Sequence, residues 1–578
     1  MSRYRQTYPL DDPIQEDGDS GFIGFNSREN SETLPAGVLS TAGNMRFDRK
    51  VAQVRKGLDK QTNAIDFGTD RPPLKLSFTL DSNAILGGTG GIRSSNLVMD
   101  STGNEYIALM LGDKLSLFQD GVSSLQNIAY PSGTTIDVNA KPRLVQCLNR
   151  LFFFRGQSSP VLVKSDVGGL DFRETLTLPF TLSAQLSGDA DFIQNNNVPA
   201  GDMAIAFRNR LVVVKDDYTL AFSDLLDPLT FDVANEFTFN KGDQDPIVSI
   251  SPFSENQIIV FKRHSIHLIT NVDVVNSSGV MQSSVYEITR QHGLIARDSV
   301  AQIGDQVFYL SDNGVHSLTT GINANASTST PVALLKVRNE PLSATIDPDI
   351  QNINFAAAQD NAHGVYHNNR YYLAVPTGSN TQNDSLYIYN TLNAAWESID
   401  TFPSNTYLDR LIVMRKNGVG RLYATSQDGE VWLTEEKDFD EVGSVGNEGE
   451  VPIAGTLTTR RYTLQNIDIK RWHYGVLNWE STSTIRPPLI LPFTLNESAI
   501  LNSRVSIVRV TVNTQNPDSS EDILTTSKST GDFTNRFSLG RKRGYGLELK
   551  LTTLGGRPKI RSLVASGRVN LRSYTETV

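Results

Sequence analysis

An all-β fold is predicted for this chain of 578 residues. Three observations carry the prediction. Short runs of Val, Ile, Leu, Tyr and Phe alternate with Gly, Asn and Asp turns through most of the sequence, as antiparallel hairpins require. Long helical periodicity is nearly absent. The hairpins recur every 40–60 residues between about 93 and 440, which suggests radial repetition.

Residues 1–60 are expected to form an extended N-terminal arm. Asp11, Asp12, Glu16, Asp17 and Asp19 crowd nine positions there, the pattern of a solvated tail or of an acidic arm that docks on a neighbour. Residues 61–92 read as an extended insertion. They contain "RPPLKLSFTLDSNAIL", Arg71 to Leu86, which returns 415 residues later as "RPPLILPFTLNESAIL", Arg486 to Leu501, with eleven of sixteen positions identical. A shorter echo, "LTLPFTLSAQL", runs from Leu176 to Leu186. Arg-Pro-Pro enforces an extended start, and such a segment suits a groove or a sheet edge. Arg71, Pro72, Pro73, Phe78, Arg486, Pro487, Pro488 and Phe493 are therefore the expected assembly contacts, and the repeat suggests that the two chain ends lie close together. "GGTGG", Gly87 to Gly91, lacks the Lys-Ser/Thr and helix of a phosphate loop and reads as a connector.

Residues 93–440 hold the hairpins. "NEYIALMLGDKLSLFQDG", "DMAIAFRNRLVVVKDDYTLAFSD", "AQIGDQVFYLSDNGVHSLT" and "DSLYIYNTLNAAWESI" are representative. Many ladders of similar length fit a β-propeller-like domain, whose ring of short blades protects strand edges. "PVALLKVRNEPL" is expected to hold a turn or two of helix. After "DEVGSVGNEGEVP", read as a linker, residues 441–578 are predicted to form a C-terminal β-sandwich. In "YGLELKLTT" Leu547, Leu549 and Leu551 share one face, opposite Glu548, Lys550 and Thr552.

The chemistry-bearing residues form no recognisable set. Cys147 is the single cysteine and has no nearby base. His264 and His267 are three apart on a strand and point to opposite faces. His363 and His367 share a face but stand about 13 Å apart, too far for one ion. Asp216, Asp217, Asp224 and Asp227 sit in turns. "SQDGEVW", Ser426 to Trp432, is one residue short of a sialidase-type turn. No catalytic residue, metal site or cofactor is expected. A formal net charge of −10 argues against general affinity for nucleic acid. Basic clusters at Arg460-Arg461, Lys470-Arg471 and Arg541–Arg543 face either solvent or an acidic neighbour, with the chain's own N-terminal region one candidate. No apolar run is long enough to span a membrane, and the first residues lack a signal-peptide core, so synthesis in a cytoplasm is expected.

"GFIGFNSRENSETLPAGVLSTAGNMRFDRKVAQVRKGL" resembles the opening of tail nozzle and tail tubular proteins of short-tailed bacteriophages. Gly24, Asn44, Arg55 and Gly57 occupy the family's opening Gly, its Asn and its closing R-x-G. "VYEITRQHGLIARDSVAQIGDQVFYLSDNGVHSL" resembles a blade common in phage propeller proteins, with Gly293, Ser299, Asp312 and Gly314 at the matching places. "RGYGLELKLTTLGGRPKIRSL" resembles the family's C-terminal sandwich, whereas the two RPPL copies stand as insertions. The resemblance implies a structural virion protein, made in the bacterial host. It implies a homohexameric nozzle that joins an adaptor ring, with tail fibres a further candidate neighbour, and that seals and then conducts double-stranded DNA during ejection without sequence-specific binding. A DNA-stabilising plug, a hub or adhesin base, and a propeller glycan-active enzyme are the alternatives.

Overall fold

The computed structural model describes residues 14–61, most of 92–162, 198–481 apart from short breaks, and most of 506–569. Seven antiparallel sheets follow one another along the described chain between residues 92 and 437. Their first strands are Ile92–Met99, Arg143–Cys147, Ala204–Phe207, Ile247–Ser254, Ala301–Ile303, His363–His367 and Arg410–Lys416. These strands pack against one another in sequence order from the first sheet to the fourth and from the fifth to the seventh, and the seventh packs back on the first. Between the fourth and fifth sheets the contact runs through the outer strands Ser284–Thr289 and Ala333–Val337. The ring is thus closed, and the fold is a β-propeller of seven described blades.

Tight turns make these blades. Arg208 and Asn209 both adopt left-handed φ, of 49° and 59°, at the turn between Ala204–Phe207 and Arg210–Asp216. Asn368 and Asn369 do the same, at 46° and 60°, in the hairpin after His363–His367. Asn tolerates this region better than most residues, and a two-residue turn of this hand matches the strand twist.

The seventh blade is completed from elsewhere. Its strands Arg410–Lys416, Val419–Thr425 and Val431–Lys437 are followed by Gly57–Lys60 from the N-terminal region. That segment was expected as an arm. It is extended from Gln15 onward, but it does not hang free. Gln15–Asp19 pairs with Lys559–Val569, Thr41–Gly43 joins two strands of another sheet, and Met45–Asp48 and Val51–Val54 form a hairpin in the sandwich.

Two sheets make the C-terminal sandwich. One has the order Gly531–Ser538, Lys470–Ser481, Lys559–Val569, Val51–Val54, Met45–Asp48. The other runs Thr41–Gly43, Thr456–Thr458, Glu548–Gly555, Ser506–Asn513, Glu521–Lys528, and its first strand pairs with the outer strand of the sixth blade. Leu549, Leu551 and Val510 from one sheet meet Leu477, Trp479 and Leu563 from the other, all essentially excluded from water. The same apolar cluster continues into the fifth and sixth blades through Phe308, Tyr371 and Trp396. Propeller and sandwich share one core.

Two local expectations change. No described residue of "PVALLKVRNEPL" is helical; Ala333–Val337 is instead the fourth strand of the fifth blade, and Val337 is buried. The helices lie just beyond, at Asp347–Ile350 and Phe355–Asn361. The segment read as a linker pairs Phe439–Glu441 with Glu450–Pro452. Both RPPL copies, with Arg71, Pro72, Pro73, Phe78, Arg486, Pro487, Pro488 and Phe493, lie outside the described residues.

Candidate functional site

The outer strand of the sixth blade, Ala395–Thr401, carries two carboxylates in an apolar setting. Glu397 and Asp400 are both completely buried. A buried carboxylate is tolerated only when its oxygens find donors, and here the N-terminal segment and Arg370 of the same blade supply them. Arg46 reaches Asp400 with two bonds, Nη1 to Oδ1 at 3.1 Å and Nη2 to Oδ2 at 2.6 Å, and also holds Glu435. Burial works against the Arg46 charge, but Asp400 and Glu435 outweigh it and raise its pKa further. Arg370 grips Glu397 through Nε and Nη2 and touches Asp48 at 2.7 Å. The Phe47 backbone N–H donates to the same Glu397.

Arg55 makes the third clamp. Its Nη1 and Nη2 donate to the two oxygens of Asp440 at 2.9 and 2.6 Å, and its Nε donates to Asn44 Oδ1 at 2.9 Å. Asn44 sits at φ 56°, accepts the Thr401 N–H and donates to the Ala454 carbonyl. A Cβ on Gly57 would overlap the carbonyl of Phe439. A Cβ on Gly24 would likewise crowd the carbonyl of Trp396, at 2.5 Å. The structure therefore brings Gly24, Asn44, Arg55 and Gly57 to one junction, where the N-terminal segment meets the sixth and seventh blades and the sandwich.

The second group stays within and beside the fifth blade. Gly293 runs against the Arg263 backbone. Ser299 Oγ donates to the Ala296 carbonyl and accepts the Leu310 N–H. Asp312 is exposed in the turn before Gly314, with Ser311 Oγ bonded to it at 3.0 Å. Gly314 has φ +127°, and its neighbour Val315 donates to Ser343 Oγ. These are structural positions.

A further polar centre escaped the sequence reading. Arg143, Asp298, His363 and Arg410 stand at the starts of the second, fifth, sixth and seventh blades, where the inner strands converge. Asp298 accepts from Arg143 at 2.7 Å and Arg410 at 2.9 Å, with Arg297 at 3.8 Å. Burial would raise its pKa, but Arg410, Arg297 and Arg143 together hold it well below the usual carboxylate range. Burial, helped by Arg410, Arg143 and Lys141 and opposed by Asp298, pushes His363 down to about 4. Lys141 is pushed down to about 8 by burial and by Arg410. Four residues from distant blades meet only through ring closure, so no spacing in the chain announces them. The carboxylates in "AWESID" did carry a signal, a charge pair inside an otherwise strand-like apolar run.

The acidic N-terminal run is docked on its own chain. Arg460 pairs with Asp17 and Asp19. Asp19 also accepts from the Gly37 N–H and the Tyr462 hydroxyl. Arg461 pairs with Glu32 and Glu548. From Gln15 on, this run is a sheet strand with Asp17 and Asp19 paired to Arg460, rather than a solvated tail.

These groups are mutually satisfied ion pairs and backbone clamps. Cys147 is buried, and among the described residues no three His, Cys, Asp or Glu side chains are grouped to hold a metal ion. Asp216 accepts the Tyr218 N–H and Asp227 the Leu229 N–H, which makes both turn formers.

No family model matches the chain, and no curated protein matches it either. Among solved structures, BBS1N in complex with ARL6DN is similar at 13% identity and a TM-score of 0.34, covering 61% of this chain and 94% of that one. The Pan2 WD40 domain of Neurospora crassa is similar at 8% identity and a TM-score of 0.33, covering 68% of this chain and 97% of that one.

Proposed function

We propose that this chain is a structural, non-enzymatic subunit of a short-tailed bacteriophage tail. In this reading it is the nozzle: a ring of six copies below the adaptor ring, which seals the DNA channel and then conducts the genome at ejection. One observation carries the reading. The positions that match the family's opening, Gly24, Asn44, Arg55 and Gly57, are the ones that lock the N-terminal segment to two blades and the sandwich. Residues with that role have a reason to recur in a family pattern. A propeller and a sandwich welded by one core also suit a part that bears load without deforming. The formal charge of −10 suits a conduit, because an acidic wall repels phosphates and limits sticking. Negative-stain microscopy and mass photometry of the purified protein, alone and with portal–adaptor complexes, test the proposal. A six-fold ring, or six copies seated on the adaptor, is the expected result. A chain that stays monomeric and does not join those complexes would overturn it.

A further inference from the structure

Half of the exposed large apolar side chains among the described residues lie between Leu225 and Tyr286, on the third and fourth blades. Five of them belong to one patch. Leu225 and Leu226 make the turn between Thr219–Asp224 and Asp227–Thr238. Beyond that turn residues 232–235 bulge out of the strand pairing, because Phe231 lies opposite Ser223 and Glu236 opposite Ala221. Val233, 77% exposed, stands on the bulge. Asn235 ties the pieces together: its Nδ2 donates to Asp224 Oδ1 at 3.4 Å, and its Oδ1 accepts the Met281 N–H at 3.0 Å. Met281 bridges to Val275, and the Gln282 N–H donates to the Val274 carbonyl at 2.8 Å, which brings exposed Val274 and Val275 to the same place. Leu226 is 65% exposed and holds a left-handed φ of 63°, which Asn adopts more readily than Leu. The turn needs only its N–H, donated to the Asn209 carbonyl at 3.0 Å.

Charge divides the chain as sharply. Residues 61–450 carry 26 Lys and Arg against 45 Asp and Glu, whereas residues 451–578 carry 18 against 9. Residues 1–60 carry nine of each and offset neither. The propeller is therefore acidic and the sandwich basic. The apolar patch shares the propeller's sign: exposed Asp227 and Asp232 flank it, and each accepts a backbone N–H two residues ahead. The sandwich presents Arg536, Arg541 and Arg543 to solvent. One chain cannot bring these two surfaces together within itself. Its sandwich shares a core with the fifth and sixth blades, whereas the third and fourth blades pack together in a cluster of their own.

We propose that the acidic, apolar rim formed by Leu225, Leu226, Val233, Val274 and Val275 docks on the basic sandwich of a second copy of this chain. The inference rests on the multi-copy assembly proposed above, for which it names the two faces that meet. Two different faces make the contact heterologous, so it repeats from copy to copy and closes into a ring when the rotation allows. The apolar side chains supply burial, and the opposite charges set orientation and the rate of encounter. An acidic rim repels phosphates, which disfavours a nucleic acid as its occupant.

The test uses the full chain in sedimentation velocity and mass photometry over a range of protein and salt concentrations. The unaltered chain should assemble, less tightly as salt rises. Leu225→Lys with Val233→Lys makes the rim basic, and Arg541→Glu with Arg543→Glu makes the sandwich face acidic. Each double variant alone should dissociate at protein concentrations at least about tenfold higher than the unaltered chain does. Mixed in equal amounts, the two should assemble again, because each then offers the other a face of opposite charge, a rescue that misfolding would not give. Leu226→Asn suits the turn's φ and should weaken assembly with the melting temperature unchanged, which keeps the test valid if a double variant folds poorly. An unaltered chain that stays monomeric would overturn this inference and the ring together. Assembly that persists in both double variants or in Leu226→Asn, or a mixture that fails to reassemble, would overturn this inference and leave the ring standing.

Discussion

Arg55 shows how much a single side chain holds here. It and Asp440 are both almost wholly buried, and each is the other's main counter-charge. Removing one member of such a pair strands the other in a low-dielectric site, at a cost of about 3–5 kcal/mol. Arg55→Ala should therefore lower unfolding free energy by about that amount in a denaturant titration. Arg55→Lys should recover only part of it, because a point charge cannot reproduce both bonds to Asp440 and the third to Asn44. At the propeller hub the sign of the pH dependence follows from two groups. The folded pKa of His363 is depressed from 6.5 to about 4, so the unfolded chain binds more protons within that window. Stability should then fall as pH drops from 6.5 towards 4 and the unfolded histidine charges first. The ring keeps partial solvent access, so its share is on the order of 1–3 kcal/mol. His363→Gln should flatten, but not abolish, this slope, since burial depresses His267 and His367 as well. Asp298 acts lower down. Its depressed pKa contributes stability that is present above the ordinary carboxylate range and lost as pH falls through the folded value.

Gly57–Lys60 decides whether the ring closes. It is the fourth strand of a blade whose other three strands come from more than 350 residues later. Leu58 anchors it, 2% exposed and packed with Tyr372, Leu422 and Trp432. Two acids hold its backbone: Leu58 N–H donates to Asp440, and Lys60 N–H to Glu441. Leu58→Ala should cost about 2–5 kcal/mol. Hydrogen exchange should speed up first in Val431–Lys437, the strand that would become an edge, before the other blades respond. Uniform acceleration across all seven blades would argue against a local closure role. Hairpins such as this blade's were legible because their turns and alternation are local. The closing strand was not, since a four-residue run with one Leu and two charges carries little strand signal by itself.

Across the whole molecule, the sandwich cannot be separated from the N-terminal segment. Gln15–Asp19, Thr41–Gly43, Met45–Asp48 and Val51–Val54 are members of its two sheets. A fragment of residues 441–578 alone would expose strand edges and half of a shared core. Expressed alone, it should aggregate or lack a cooperative melting transition, and co-expression with residues 14–61 should restore solubility. A soluble fragment with a sharp transition would show that the interlock is dispensable. The shared core likewise implies that propeller and sandwich unfold together in one calorimetric transition.

By itself the sequence determined the all-β class, the blade hairpins and the alternating sandwich strands, because side-chain period and turn chemistry act over a few residues. It also pointed to neighbouring chain ends: the expectation came from the RPPL repeat, which lies outside the described residues, but Gln15 does face Gly567 across a sheet. Tertiary structure alone decided that the acidic N-terminal run is a docked strand, that Arg46 and Arg55 face carboxylates hundreds of residues away, and that Asp298 gathers arginines from separate blades. It also decided that the basic pair Arg460 and Arg461 is neutralised by acids of the N-terminal segment. The physical reason is that Coulomb energy and desolvation depend on distances in space, and ring closure and strand exchange set those distances between residues that no local pattern connects.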